Sequence, residues 1–341
     1  MSSALADAPR LRLAHLPTPL EPCPRLSAHL GGPWIFVKRD DCTGLALGGN
    51  KVRKLEFVLA QAEAAGADTL VSAGVIQSNH VRQTAAAAAH RGLEFHAAII
   101  TDRVPDLDPD YPESGNFLLD ALFGMRARYC SVHDDRVAVM EVMMDDLRRC
   151  GKKPFFVAYG ASDVTGALGY VNFAEELAAQ LRQHDLRPAA LVHASGSSGT
   201  QAGIIAGAAA LPPDMRIVGI DIDAEPDRVR SDVTNLAHET ATHLGLDIDP
   251  PVEIVDGYAG PAYGVVTPET LEAIELFARL EGLVLDPVYS GKGAAGLIGL
   301  IRQGRFTKSD TVVFLHTGGA PALYAYRSHF APHMEAVAEG H

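Results

Sequence analysis

The sequence is short of cysteine, of basic charge and of long apolar runs, and each shortage excludes something. Its 341 residues include four cysteines, Cys23, Cys42, Cys130 and Cys150. These form no CxxC pair and no regular framework, so they read as reduced thiols of a cytoplasmic protein. Lysine and arginine number 29 against 42 acidic residues, a net charge of −13. That balance gives neither nucleic acid nor an anionic membrane an electrostatic hold on the chain. No stretch approaches the roughly 18 uninterrupted apolar residues of a membrane span. The opening MSSALADAPRLRLAHLPTPLEPCPRL lacks an apolar core and is broken by prolines, so it is not read as a secretory signal. Repeats and low-complexity tracts are absent beyond the alanines at 85–89, which read as a helix packed closely on a sheet.

What remains has an ordinary globular composition: 47% hydrophobic and 21% charged, with 32 glycines and 21 prolines. Disordered, collagenous and coiled-coil chains do not look like this. The length suffices to bury a core without disulfides, and at roughly 150 residues per domain it suggests two domains. Strand patterns are expected at 34–38, 69–75, 95–100, 154–158, 190–194, 216–222 and 311–316. Helical patterns fall between them at 52–65, 81–91, 166–183, 201–210 and 268–280. Such alternation predicts parallel sheets with helices on both faces, and sites at the strand-to-helix junctions. The acidic, proline-rich segment 101–114 reads as an exposed loop. Segment 223–256 mixes charge with helix and loop signals, as a partner surface or a lid does.

Five junctions stand out. LALGGNKVRKLEF carries Gly48, Gly49, Asn50, Lys51 and Lys54, with a helix beginning near Lys51. Gly44 and Gly49 have P-loop spacing, but Asn50-Lys51-Val52 offers no hydroxyl for magnesium. A lysine at a polarised helix start has its ammonium disfavoured, which suits an amine nucleophile; a solvated surface lysine is the plainer alternative. In VSAGVIQSNHVRQT, capping accounts for one of Gln77, Ser78, Asn79 and His80. Four polar residues in a row exceed that need and suit a carboxylate. LVHASGSSGTQAG presents Gly196, Ser197, Ser198, Gly199 and Thr200, a phosphate cup or else a structural turn. Its glycine spacing is not that of a dinucleotide site. LDPVYSGKGAAG adds Tyr289 and Ser290, and FLHTGGAPAL adds His316 and Thr317. Singly these two are weak; together the five suggest a phosphorylated aldehyde cofactor, held as an imine and acting on an amino acid.

GGNKVRKLEF, QSNHVRQTAA, SGSSGT, LDPVYSGK and HTGGAPAL, in this order, resemble the D-cysteine desulfhydrase and 1-aminocyclopropane-1-carboxylate (ACC) deaminase family. The opening LAHLPTPLEPCPRLSAHLGG followed by KRDD is also similar, so the likeness runs from about residue 13 to 326. The family consists of pyridoxal-phosphate (PLP) enzymes with the tryptophan synthase β-like fold, PLP fold type II. It implies an α/β chain with two open, twisted, mainly parallel sheets and helices on both faces. It further implies a large PLP-binding domain from 1–49 and 166–341, a small domain from 50–165, the cofactor in the cleft between them, and a homodimer.

The resemblance also implies residue roles. Lys51 would hold the cofactor and move the α-proton, with Tyr289 and Tyr263 lining the substrate pocket and completing the catalytic set. Asn79 would bond the cofactor's 3′-oxygen, while Lys54, Gly196, Ser197, Ser198, Gly199 and Thr200 would hold its phosphate. Ser290 or Thr317 would face the pyridine nitrogen. Ser78, Asn79 and His80 would bind the substrate carboxylate; no metal is implied. Two positions depart from the family pattern: Ala161 in YGAS, where glycine is usual, and SSG in place of SAG or TTG.

Within the family the chain is similar to the desulfhydrase branch, which includes L-cysteate sulfo-lyases. The expected reaction is α,β-elimination from D-cysteine to pyruvate, ammonia and hydrogen sulfide. Alternatives are L-cysteate with release of sulfite, and ACC deamination. Deaminases carry glutamate and glutamine where this chain has Ser290 and His80. A sulfonate substrate would want an additional cation or a helix N-terminus near its β-carbon, and the sequence alone locates neither. Intact Lys51 and Tyr289 argue against a non-catalytic PLP-binding protein, and the failed glycine spacings against a nucleotide-binding one.

Overall fold

The computed structural model describes residues 3–105, 107–248 and 251–338. Its strands are β1 (Leu20–Pro22), β2 (Trp34–Arg39), β3 (Thr69–Val75), β4 (Glu94–Ile100), β5 (Arg126–Cys130), β6 (Pro154–Phe156), β7 (Ala190–Ser195), β8 (Arg216–Asp221), β9 (Glu253–Val255) and β10 (Thr311–His316). They form a six-stranded sheet in the order β1-β2-β10-β7-β8-β9 and a four-stranded sheet in the order β5-β4-β3-β6. Among the described residues every pairing is parallel except β1 with β2.

Parallel strands need crossovers, and the crossover helices cover both sheet faces. In β10 the period of two is visible directly. Val312 and Phe314 pack with Phe277 and Leu297 on one face, whereas Val313 and Leu315 pack with Tyr170 and Phe173 on the other. In the second sheet β3 is buried at every position. Its core is shared with Val52, Leu55 and Leu59 of the Lys51–Ala64 helix and with Ala85 and Ala88 of the Asn79–Arg91 helix.

All seven expected strands are present. The strands β1, β5 and β9 were not expected, because two are three residues long and β5 (RARYC) is exposed except at Cys130. The glycine-rich stretch after Tyr289 is a helix, Ser290–Arg302. Its glycines let it lie close on the sheet: a Cβ at Gly296 would fall 2.6 Å from Ile220. Segment 223–256 is largely the Pro226–His243 helix, whose Val229, Val233 and Leu236 pack on Ala202 and Ile205. The described residues of segment 101–114, all but 106, are only partly exposed, contrary to expectation: Val104 and Tyr111 are buried, and Tyr111 meets the Tyr326 ring edge-on at 5.4 Å.

A buried ionic network fixes the helix that begins at Lys51. Arg53, 1% exposed, donates to both oxygens of Asp40 at 2.8 Å and to both oxygens of Glu176 at 2.9 Å. Tyr170 donates to Asp40 at 2.6 Å, and Lys38 to Glu176 at 2.5 Å. Two carboxylates, two cations and a phenol are thereby satisfied together, the condition for burying charge at tolerable cost.

Candidate active site

One cavity is bordered by the segments that follow the carboxyl ends of β3, β6, β7, β8 and β10, where doubly wound sheets place ligands. It is lined by Lys51, Ser78, Asn79, His80, Tyr159, Gly160, Ser197, Ser198, Thr200, Asp223, Tyr263, Tyr289 and Thr317, among others. Lys54, Gly199 and Ser290 stand just behind the lining.

Lys51 opens its helix from a turn pressed against the β10 end. The Asn50 N–H donates to Thr317 O at 2.9 Å, and a Cβ on Gly318 would fall 2.7 Å from Gly49 Cα. Only glycine at 318, with φ at +90°, allows that approach. Although the Lys51 tip opens on the cavity, burial by its walls pushes the amine down to about 8. Lys54 is fully buried, and its Nζ reaches Gly160 O at 3.2 Å and Ser162 Oγ at 3.3 Å. Burial first, then the neighbouring Lys51, drives its pKa well down, with Asp163 opposing.

The loop 196–200 enters the Gly199–Ala206 helix. A Cβ on Gly199 would sit 2.9 Å from Lys54 Nζ and 2.8 Å from Ser162 Oγ, so the glycine holds loop and lysine together. Ser198 adopts φ +63°, the strained left-handed region that non-glycine residues occupy mainly at functional turns. Thr200 Oγ1 accepts from Asn50 Nδ2 at 3.0 Å, so its own proton is free for a ligand. Ser198 donates to Ser197 O at 2.6 Å, and Ser197 Oγ accepts from Ser162 at 3.1 Å. A desolvated lysine beside a helix N-terminus and the Thr200 hydroxyl suits a phosphate dianion.

Ser78 caps the Asn79–Arg91 helix by accepting from Val81 N at 3.2 Å. Asn79 Oδ1 accepts from Asn116 Nδ2 at 3.0 Å and from Arg82 at 3.4 Å. The Asn79 amide nitrogen has no protein acceptor among the described residues, and its residue lines the cavity. His80 lines the cavity too, but its ring is occupied. Ser72 Oγ gives its proton to Val157 O at 2.8 Å, so the 2.8 Å contact with His80 Nε2 makes that nitrogen the donor. Burial, then Lys51 and Lys54, lower the imidazole pKa well below its usual value. What His80 leaves for a carboxylate is its N–H in the first helical turn.

The phenols of Tyr263 and Tyr289 share a hydrogen bond, their rings crossing at 5.9 Å and 71°. Burial raises both pKa values well above the phenol range, so both stay protonated. Ser290 donates to Asp286 Oδ2 at 2.5 Å and accepts from Asp286 N at 2.9 Å. Of the two groups expected at a ring nitrogen, Thr317 is the one bordering the cavity. Asn50, Tyr159, Asn116, Asp223 and Asp286 were not singled out as site residues. Asp223 was within reach, because the strand end at DIDAEPD is itself a strand-to-helix junction. Among the described residues no cluster of ligating side chains fits a metal.

The donor set therefore fits pyridoxal phosphate: an amine of lowered pKa, a phosphate cup, a free amide and an uncharged hydroxyl around one cavity. Residues 11–318 match the family of pyridoxal-phosphate dependent enzymes. The chain belongs to that family. This PLP-dependent enzyme is similar to a crystal structure described as an ACC deaminase homologue, at 34% identity and TM-score 0.87, over 97% of this chain and 98% of that one. It shares its fold with O-ureido-L-serine synthase at TM-score 0.65 and 16% identity, over 95% of this chain and 93% of the other. The two mainly parallel sheets with these likenesses bear out fold type II. No helix among the described residues is long and apolar enough to cross a membrane.

Proposed function

We propose that this PLP-dependent enzyme catalyses α,β-elimination on a three-carbon amino acid with sulfur at its β-carbon, releasing pyruvate and ammonia. The observation that carries the reading is Lys51, an amine near pKa 8, in one cavity with a carboxylate-type helix start and a protonated tyrosine pair. Bound pyridoxal phosphate supplies the electron sink for the α-carbanion. The remaining work falls to the chain. Lys51 holds the cofactor and removes the α-proton, for which an amine near neutral pKa is suited. Ser78 and the N–H groups of Asn79 and His80 orient the substrate carboxylate. Lys54, Gly196, Ser197, Ser198, Gly199 and Thr200 hold the phosphate, Asn79 Nδ2 the 3′-oxygen, and Thr317 the ring nitrogen. Tyr289, hydrogen-bonded to Tyr263, faces the departing β-group.

D-cysteine, losing hydrogen sulfide, is the first substrate. L-cysteate, losing sulfite, is the second, and Arg103 over the Tyr263 ring favours it. ACC deamination is disfavoured because position 290 carries a neutral hydroxyl tied to Asp286 where the deaminases carry a carboxylate. Mixing the pure enzyme with D-cysteine, L-cysteine, L-cysteate and ACC tests this. Pyruvate from a sulfur substrate and little 2-oxobutanoate from ACC is expected; efficient ACC turnover would overturn the branch.

A further inference from the structure

Arg103 follows β4, from the four-stranded sheet, and its guanidinium lies against Asp223, which follows β8, and Tyr263, in the loop between β9 and the Pro268–Glu281 helix. Its Cζ stands 4.4 Å from the centroid of the Tyr263 ring, and Nη2 donates to Asp223 Oδ1 at 2.7 Å. Tyr263 and Asp223 both line the cavity. The wider opening beyond it is bordered by Arg103 and shares Tyr159, Ser197 and Asp223 with the cavity, so the arginine lies just outside the cavity lining and touches it through Tyr263 and Asp223. Its side chain is one-fifth exposed. Only one of its five N–H donors has a protein acceptor among the described residues. Asp223 is itself shared, its second oxygen accepting from Arg228 at 2.5 Å. Arg228 is in turn paired with Glu225 and Asp232, so Asp223 is not the sole acceptor for that guanidinium. A cation with four donors unused among the described residues, clamped by a ring and a shared carboxylate, is a pre-organised oxyanion receptor.

We propose that Arg103 reads the β-substituent of the substrate and selects an anionic one, a sulfonate, at the end of the cavity walled by Tyr263 and Tyr289. This assignment rests on the elimination reading and, within it, moves L-cysteate ahead of D-cysteine. It names the cation that a sulfonate, charged throughout the reaction, requires. With L-cysteate the balance is one substrate and one water giving pyruvate, ammonium and hydrogen sulfite; the C–S bond breaks and sulfur leaves with the electron pair.

The test separates charge from shape without depending on turnover. Calorimetry on the holoenzyme compares 3-sulfopropanoate with 3-(methylsulfonyl)propanoate, which keeps the tetrahedral sulfur but carries no charge on it. The wild type should prefer the sulfonate, and Arg103→Gln should cut that preference by about 10- to 150-fold, the range for a hydrogen bond to a charged group. The kcat/KM ratio of L-cysteate over β-chloroalanine should fall by a similar factor. Asp223→Asn discriminates a binding role from a merely structural ion pair: it frees Arg103 and should keep or raise the preference. Absence of the preference in the wild type, its survival in Arg103→Gln, or its loss in Asp223→Asn would each overturn the assignment. A sulfonate preference with no pyruvate from either D-cysteine or L-cysteate would instead sink the elimination reading and leave Arg103 as the anion receptor.

Discussion

An amine held near pKa 8 in the wall of a cavity, as Lys51 is, is poorly solvated in its charged form. In the unfolded chain the same group titrates near 10.5. Below pH 8 the folded state therefore carries an ammonium that it disfavours, at a cost of up to about 3 kcal/mol. The cost shrinks as pH rises from 8 toward 10.5 and then vanishes. Lys51→Met in the cofactor-free protein should accordingly raise Tm at pH 7, with the gain fading by about pH 10. Lys51→Ala should abolish turnover, and borohydride should no longer fix the cofactor to the chain. A Tm that falls at pH 7 would mean that the Lys51 ammonium carries no such penalty, and cofactor still fixed in Lys51→Ala would mean that another amine holds it. Sites commonly carry such a penalty, because reactivity and stability ask different things of one side chain.

Elements were legible wherever local chemistry and global packing agreed. The β3 and β10 runs are apolar because both of their faces are covered, and the residues at their ends gather in one cavity for the same topological reason. Short strands escaped notice because a three-residue run such as β9 carries no period. The Ser290–Arg302 helix hid behind its glycines, which low helix propensity disguises but which close packing on Ile220 requires. Cross-element partners such as Asp286 for Ser290 and Asp223 for Arg103 are invisible to spacing, since nothing local announces them. Two glycines of one helix separate the roles of packing and site. A Cβ at Gly203 would fall 2.3 Å from Ala167 O, a backbone atom, whereas at Gly199 it would meet Ser162 Oγ at 2.8 Å, Lys54 Nζ at 2.9 Å and the Ser162 Cα at 2.9 Å. Overpacking of this kind costs typically 1–3 kcal/mol. Gly203→Ala should lower Tm by several degrees, while Gly199→Ala should weaken cofactor retention at least tenfold with a smaller loss of stability. Titrating cofactor into both apo-proteins distinguishes them, and equal retention would remove Gly199 from the phosphate cup.

At the scale of the whole molecule, the placement of Lys51 depends on charges buried behind it. Arg53 lies two residues along the same helix and joins it to β2 through Asp40 and to the Val164–Gln183 helix through Glu176. Burial by itself would push the Glu176 carboxyl up, but Arg53 and Lys38 hold it down to about 2. The ordinary value is 4.5, so the stability linked to this group is present above pH 4.5 and is lost as pH falls from there toward 2. The shift corresponds to on the order of 3 kcal/mol. Glu176→Gln keeps the shape and removes the titration. It should destabilise at pH 7, because Arg53 and Lys38 lose a charged acceptor while buried. Its stability should also fall less steeply than that of the wild type between pH 4.5 and 2, by up to one proton, about 1.4 kcal/mol per pH unit. Urea unfolding at half-unit pH steps, at fixed high salt to screen the −13 charge of the surface, measures the difference in slope. Parallel slopes for the two proteins would show that Glu176 is not the titrating link between the helix of Lys51 and the sheet behind it.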